Sequence, residues 1–254
     1  YENALKLMSQ LGCETREISI KDSVLQHFKD INHDISKHDV TYENAQARER
    51  TQILMDIANQ IKGMVIGTGD LSEAALGWCT FNGDHMSMYS VNSGIPKCLV
   101  QHTIATIAKD LQDGKGAFAE IINPKILAKI LESVLKTPIS PELLPPDKNG
   151  NIAQHTEDHV GPYELHDFFL YHCIRKGMRP ERVLFIAQNA FEGSYELPII
   201  KKWLKLFLNR FFSQQFKRNC VPDGPKLIAF GLSPRGDWRM PSDATVNAWI
   251  SDFE

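Results

Sequence analysis

The apolar positions of this chain repeat mostly at helical spacing, interrupted by a few short runs that read as strands. Ala4, Leu5, Leu7, Met8 and Leu11 fall on one face of a helix over Glu2 to Gln10, with Gly12 where a helix C-terminus places glycine. Thr15 to Ile20 alternates as a strand does, and helical spacing returns over Asp22 to Asp30. Thr41 stands as N-cap of a helix from Tyr42 to Ile61 whose inner stripe includes Leu54, Ile57, Ala58 and Ile61. Lys62 to Gly67 is a short apolar run without a polar face, the pattern of a strand buried on both sides in a parallel sheet. It leads into Thr68-Gly-Asp-Leu-Ser-Glu73, where Asp70 and Glu73 have capping-box spacing. A helix starting there leaves its first N–H groups free for an anion.

The second half is helical. Pro96-Lys97 opens a helix that buries Val100, Ile104, Ile107 and Leu111, and Asn123-Pro124 opens another, to about Lys136. Ile139 to Pro162 holds most of the Pro, Asp and Gly of the middle of the chain and reads as a mobile loop. Three helices follow: Tyr163 to Lys176, stopped by Gly177; Pro180 to Phe191; and Tyr195 to about Phe216, capped by Ser194. In the last, Trp203, Leu204, Phe207, Leu208, Phe211 and Phe212 form one apolar face, with Lys201, Lys202, Lys205 and Arg210 on the other side. Aromatics on one stripe, not interleaved with basic residues, mark a packed helix rather than a nucleic-acid-binding one. A strand is expected over Lys226 to Leu232. The alternation of helix and strand indicates an α/β fold, whose ligands sit outside the carboxyl ends of parallel strands.

Composition narrows the function classes. The chain has 254 residues, 43% hydrophobic and 23% charged, enough for a sizeable core and ordinary for a globular protein. A formal charge of -3 speaks against nucleic-acid binding through general basicity. Its five cysteines are odd in number, scattered and never in a C-x-x-C pair, which favours a reduced, cytoplasmic chain. No signal peptide and no apolar run of membrane-spanning length is discernible.

Candidate chemistry gathers around the Gly63 to Lys97 stretch. Glu73 and Thr68 have structural readings as a cap and a strand-end hydroxyl, but both also stand at a ligand loop. Asn44 and Arg48 are four apart and share a helix face, as a merely solvated face would also have them. Trp78 packs in a core or stacks on a flat ring. Asp84 and His85 lie in a Gly-containing loop, and His85 reads as structural. Lys97 sits at a helix N-terminus where anions are drawn. His155 and His159 are four apart, yet Glu157 is misplaced for a zincin site and Gly161-Pro162 ends any helix, so the pair reads as chance. Lys217 and Arg218 open a Pro/Gly-rich tail, where cations reach phosphate or carboxylate; Arg235, Asp237 and Arg239 read as surface ion pairs. No Ser-His-Asp or Cys-His nucleophile set and no G-x-S-x-G elbow is present.

The blocks GTGDLSE, ALGW, NGDHMSMY and PK, together with YENAQAR at Tyr42 to Arg48, FFSQQFKRNCVPDGPK at Phe211 to Lys226 and SPRGDWRMPSDA at Ser233 to Ala244, resemble the synthetase portion of the glutamine-dependent NAD synthetases. The resemblance extends over nearly the whole chain. It implies an adenine nucleotide alpha-hydrolase-like (ATP pyrophosphatase) fold with a C-terminal helical extension. The implied organisation is a nucleotide-binding α/β part over 1–137, a mobile loop over 138–162 and the extension over 163–254. The family's SGGxDS ATP loop is missing, so the chain looks like a C-terminal fragment that binds without turning over. The implied reaction is ATP-dependent amidation of deamido-NAD, with Mg²⁺ as cofactor and ammonia drawn from glutamine by an N-terminal glutaminase domain. By resemblance Thr68 and Lys97 contact ATP. Asn44, Glu73, Trp78, Cys79, Thr80, Phe81, Asp84 and Lys217 contact deamido-NAD, supported by Arg48, and Glu73 lies near magnesium. Glu157 and Asp158 belong to a loop that closes over the substrate. Homo-oligomers are expected, nucleic-acid and membrane partners are not, and the tail around Arg235 is given a structural or subunit-contact role. Rival readings are another ATP pyrophosphatase of the GMP synthetase or asparagine synthetase kind, which should lack the GDHMSMY and FKRNCVPDGPK blocks, and a binding or assembly module without turnover.

Overall fold

A computed structural model describes residues 1–116, 123–140, 156–251 and 253. The chain divides into a smaller compact unit, Tyr1–Ser19 with Cys98–Ser140, and a larger one, Ile20–Lys97 with Pro141–Glu254.

The smaller unit is helical. α1 (Glu2–Gln10) packs on α6 (Pro124–Lys136), and Leu111 of α5 (Lys97–Gln112) is buried with Leu127 and Ala128 while Leu7, Ile107 and Leu131 close over them. Gly12 takes a positive φ of 68°, and the Asn123 side chain accepts from the Ile126 N–H at 3.4 Å, so both helix ends fall where the sequence puts them. Along α5, Leu111 is buried and Val100, Ile104 and Ile107 only half-buried, with Ala108 completing the face. Thr15 to Ile20 forms no strand. No strand lies beside it among the described residues, and a lone strand is not stable in water.

In the larger unit α2 (Lys21–Asp30) lies against α3 (Val40–Ile61) through Val24, Phe28 and Ala45, with Phe28 stacked on Tyr42 at 5.5 Å. Asp39, not Thr41, caps α3, accepting from the N–H groups of Thr41 and Tyr42 at 2.9 and 3.1 Å. A carboxylate satisfies two orphan donors there, where the hydroxyl of Thr41 would serve at most one. The buried positions of α3 are Ala45, Ala47 and Ala58, whereas Leu54 and Ile61 of the expected stripe are 52% and 60% exposed.

The expected strand Lys62 to Gly67 contracts to β1 (Ile66–Gly67), parallel to β2 (Tyr89–Ser90) with Ile66 opposite Tyr89 and Gly67 opposite Ser90. Among the described residues only one edge of β1 is paired, and Met64 and Ile66 are 59% and 48% exposed rather than buried on both sides. The run Lys226 to Leu232 is irregular. β2 is extended instead by a bridge from Tyr89 to Asp223, with Ser90 N–H donating to the Asp223 carbonyl at 2.7 Å. Pro222 and Pro225 flank that bridge and lack the N–H a longer ladder requires.

α4 (Leu71–Leu76) follows β1, and α7 (Thr156–Val160) leads into α8 (Tyr163–Phe169), which continues as a π-helical turn over Leu170–Arg175. Of the expected loop, residues 141–155, including His155, lie outside the described residues, and residues 156–160 are helical. α9 (Pro180–Ala190), α10 (Leu197–Ser213) and α11 (Gln215–Arg218) complete a helical bundle, and α12 (Asn247–Ile250) packs on α10. All six expected core residues of α10 are buried, and this helix packs on α4, α8 and α9. Pro198 in its first turn and Glu196 as its N-terminal flank replace the expected start at Ser194. α10 therefore carries the bundle's core directly to the strand–helix junction.

Candidate functional site

The candidate site is built on the two ends of α4. At the N-terminal end the capping box is complete: Asp70 Oδ1 accepts from Glu73 N–H at 2.9 Å, and Glu73 Oε2 accepts from Asp70 N–H at 3.1 Å. The other oxygens of both carboxylates hold Lys97 Nζ, each at 2.6 Å. Lys97 N–H donates to Ser72 Oγ at 2.8 Å, and Ser72 Oγ in turn donates to Asp167. The ring of Tyr163 lies 5.4 Å from the ammonium, and its buried hydroxyl has no hydrogen-bond partner among the described residues.

Charge at this end is held against burial. Desolvation and the neighbouring Asp70 push the Glu73 carboxyl up to about 7, against the pull of Lys97. Burial works against the Lys97 charge, but Glu73 and Asp70 outweigh it and raise its pKa. Desolvation, with Glu73 and Asp70 next, raises the Tyr163 phenol. No group of three or more His, Cys, Asp or Glu side chains suited to a metal exists among the described residues. The two carboxylates, Asp70 and Glu73, match in type and number those Mg²⁺ takes before completing its shell with phosphate and water, and Lys97 holds one oxygen of each. Thr68 is exposed on the loop between β1 and α4.

The C-terminal end closes on Gly77, whose φ of 58° is left-handed, with Trp78 N–H returning to the Glu73 carbonyl at 2.9 Å. A Cβ at Gly77 would stand 2.3 Å from Gln214 Cβ, so glycine is needed for space as well as for conformation. Beyond it, Thr80 Oγ1 donates to Asn44 Oδ1 at 2.8 Å, Thr80 N–H to Asp84 Oδ1 at 2.6 Å, and Arg48 Nε to the Phe81 carbonyl at 3.3 Å. Asn44, Arg48, Asp84 and the Trp78 to Phe81 segment thus meet in one place. The His85 ring stacks on Phe81 at 5.3 Å and its Nδ1 accepts from Asn82 N–H at 3.1 Å, while its buried Nε2 has no partner among the described residues, and burial lowers its pKa. Burial also pushes the Cys79 thiol up to about 12, so what Cys79 offers is its backbone.

Three cations of α10 and α11 converge on the α4 C-terminus. Lys217 Nζ donates to the Gly77 and Cys79 carbonyls at 2.8 and 2.7 Å. Arg210 donates to Leu76 and Gly77 at 2.8 and 3.3 Å, its guanidinium 5.1 Å from the centre of the Trp78 ring. Arg218, 1% exposed, donates to Ala74 and Ala75 at 3.2 and 3.0 Å and also to Phe211. The His159 ring lies 6.3 Å from Trp78, inclined 21° to it, while Glu157 accepts from Tyr163 N–H at 3.1 Å and so caps α8.

The sequence pattern groups Arg210 with the cations on the solvated side of its helix, whereas the structure turns it toward α4. It stands seven residues after Trp203 and three after Phe207, which is the spacing of the buried stripe, so the signal is there. In the sequence Asp70 reads only as a cap and Arg218 only as a flexible cation, while Tyr163 and Asp167 carry no motif at all.

The NAD synthase family model matches residues 1–188. The chain is 42% identical over 275 aligned positions to the glutamine-dependent NAD(+) synthetase of Mycobacterium leprae, covering 99% of this chain and 39% of that protein. It is 30% identical over 244 positions to the glutamine-dependent NAD(+) synthetase of Thermotoga maritima, covering 94% and 36%. It thus spans about two fifths of the length of the curated relatives it matches. A crystal structure of a glutamine-dependent NAD(+) synthetase from Cytophaga hutchinsonii superposes with a TM-score of 0.73 at 20% identity, over 99% of this chain and 38% of that one. That likeness shows the fold, which is adenine nucleotide alpha-hydrolase-like with a small parallel sheet among the described residues. With a family model matched over most of its length and a 42%-identical relative aligned along nearly all of it, the chain belongs to the NAD synthase family.

Proposed function

We propose that this chain supplies the synthetase site for ATP-dependent amidation of deamido-NAD to NAD. The observation that carries this reading is α4 itself: one short helix with a carboxylate–ammonium set at its start and an amide, aromatic and cationic set at its end. The first suits a nucleotide polyphosphate and the second a dinucleotide with a flat ring.

A carboxylate is a poor acyl donor. In the proposed reaction an oxygen of the nicotinate carboxylate attacks the α-phosphorus of ATP and pyrophosphate departs. Ammonia then adds to the activated carbonyl carbon, AMP leaves with the bridging oxygen, and nitrogen loses a proton to give the amide. The chain's own residues bind and orient. Thr68 and Lys97 face the ATP phosphates. Asn44, Glu73, the Trp78-Cys79-Thr80-Phe81 segment, Asp84 and Lys217 face deamido-NAD, with two donors of the Lys217 ammonium held by backbone carbonyls and a third left for the ligand. Glu73, beside Asp70, would hold Mg²⁺, which would supply neutralisation of phosphate charge. Ammonia comes from glutamine through an N-terminal glutaminase domain, in a cytoplasmic homo-oligomer.

The test is calorimetric titration of this chain with deamido-NAD, alongside Glu73→Ala and Lys217→Ala. Saturable binding, weakened about tenfold or more by either change, is expected, since each removes a charged hydrogen-bonding group. No binding by a folded wild-type chain, or equal binding by all three proteins, overturns the assignment of these residues.

A further inference from the structure

Helix α4 is only six residues long, so its C-terminal carbonyls have few intrahelical donors. The Gly77 turn satisfies those of Glu73 and Ala74. The carbonyls of Ala75, Leu76, Gly77 and Cys79 go to the cations of α10 and α11, each in its own way. Arg218 is fully buried and bonded also to Phe211 and to Gln215 Oε1 at 3.0 Å, so it belongs to the core. Lys217 reaches the backbone as a point charge.

Of these three cations, Arg210 alone joins the helix end to the Trp78 indole. Its planar fork donates along two directions to consecutive carbonyls while the guanidinium lies over the indole, which fixes the angle at which the chain leaves α4. No ion pair ties Arg210 to a carboxylate among the described residues, and its hydrogen bonds there go to this turn.

We infer that Arg210 is a positioning residue for the Trp78 to Phe81 segment, acting through the Leu76 and Gly77 carbonyls and the face of Trp78. Resting on the deamido-NAD reading, this makes Arg210 a determinant of how that ligand is met, without touching it. A residue that merely capped the helix would change stability and every kinetic constant together. A residue that aims the segment changes the recognition of one substrate.

The experiment compares Arg210→Lys and Arg210→Met with wild type in two measurements. The first is amide hydrogen exchange of the ligand-free chain. Exchange over residues 77–81 should quicken about tenfold in both variants, as expected for one lost charged hydrogen bond, with the α10 core over 203–208 unchanged. The second is steady-state kinetics of the full-length protein. The KM for deamido-NAD should rise about tenfold while that for ATP stays within about twofold, and Lys should restore little because it keeps the charge and loses the fork. Unchanged exchange over 77–81 in the folded Lys variant, uniform acceleration along the chain, or equal rises in both KM values overturns the inference. Exchange needs no ligand, so a wild-type protein indifferent to deamido-NAD would refute the functional reading while exchange still decides the role of Arg210.

Discussion

The two ends of α4 are held by opposite means. At its start, Lys97 is gripped by two carboxylates at 2.6 Å, one of which titrates near neutrality. At its end, Arg210, Lys217 and Arg218 donate to uncharged carbonyls. Ion pairs of this kind respond to protons and to competing ions, whereas guanidinium on a carbonyl keeps its charge across the physiological range. The first end is suited to exchange partners and the second to hold still.

The sharpest way to break this contrast is Arg218→Met. It strands the Ala75 and Phe211 carbonyls in a buried site, Ala74 keeping its bond from the Gly77 N–H, and a loss of about 5 kcal/mol is expected in denaturant titration, or failure to fold. Lys97→Met should cost less, about 3 kcal/mol, because the Asp70 and Glu73 carboxylates it leaves facing each other can shed charge by protonation. Adding Glu73→Gln should recover part of that loss, and strict additivity in the double-mutant cycle would show that the residues are not coupled.

The smallest effect is in pH. The folded-state pKa of Glu73 is raised, so the native protein holds the extra proton between about 4.5 and 7. The stability that proton gives is fully present at low pH and is lost as pH rises through about 7; Glu73→Gln should remove this decline from a stability–pH profile. His166, buried in α8 with its ring stacked on Phe207 of α10, acts in the other direction. Burial depresses its pKa to about 4, so its stabilising contribution is present above 6.5 and is lost as pH falls through about 4. NMR titration that finds His166 with an ordinary midpoint would overturn this acid-side prediction.

Much of this is legible in the sequence. The capping box at Asp70 and Glu73, the Asn123-Pro124 start of α6 and the six-residue stripe of α10 depend on local spacing, and local spacing is what a sequence displays. Strand positions fare worse. The run from Lys62 to Gly67 has strand composition, but how much of it pairs depends on neighbours distant in the chain, and among the described residues only Ile66 and Gly67 form strand pairs. The site divides the same way. Asn44 and Asp84 lie in motif blocks and meet at Thr80, between two of them, whereas for Arg210 spacing marks only an inward-facing position, its partners lying about 130 residues earlier.

A helix of six residues at 1.5 Å each is a rod of about 9 Å, shorter than many single ligands. Both of its tips are held by other elements, Lys97 at one and Arg210 with Lys217 at the other. The two proposed subsites are therefore separated by little more than the length of one helical rod, near enough for a single reacting pair of ligands to touch both.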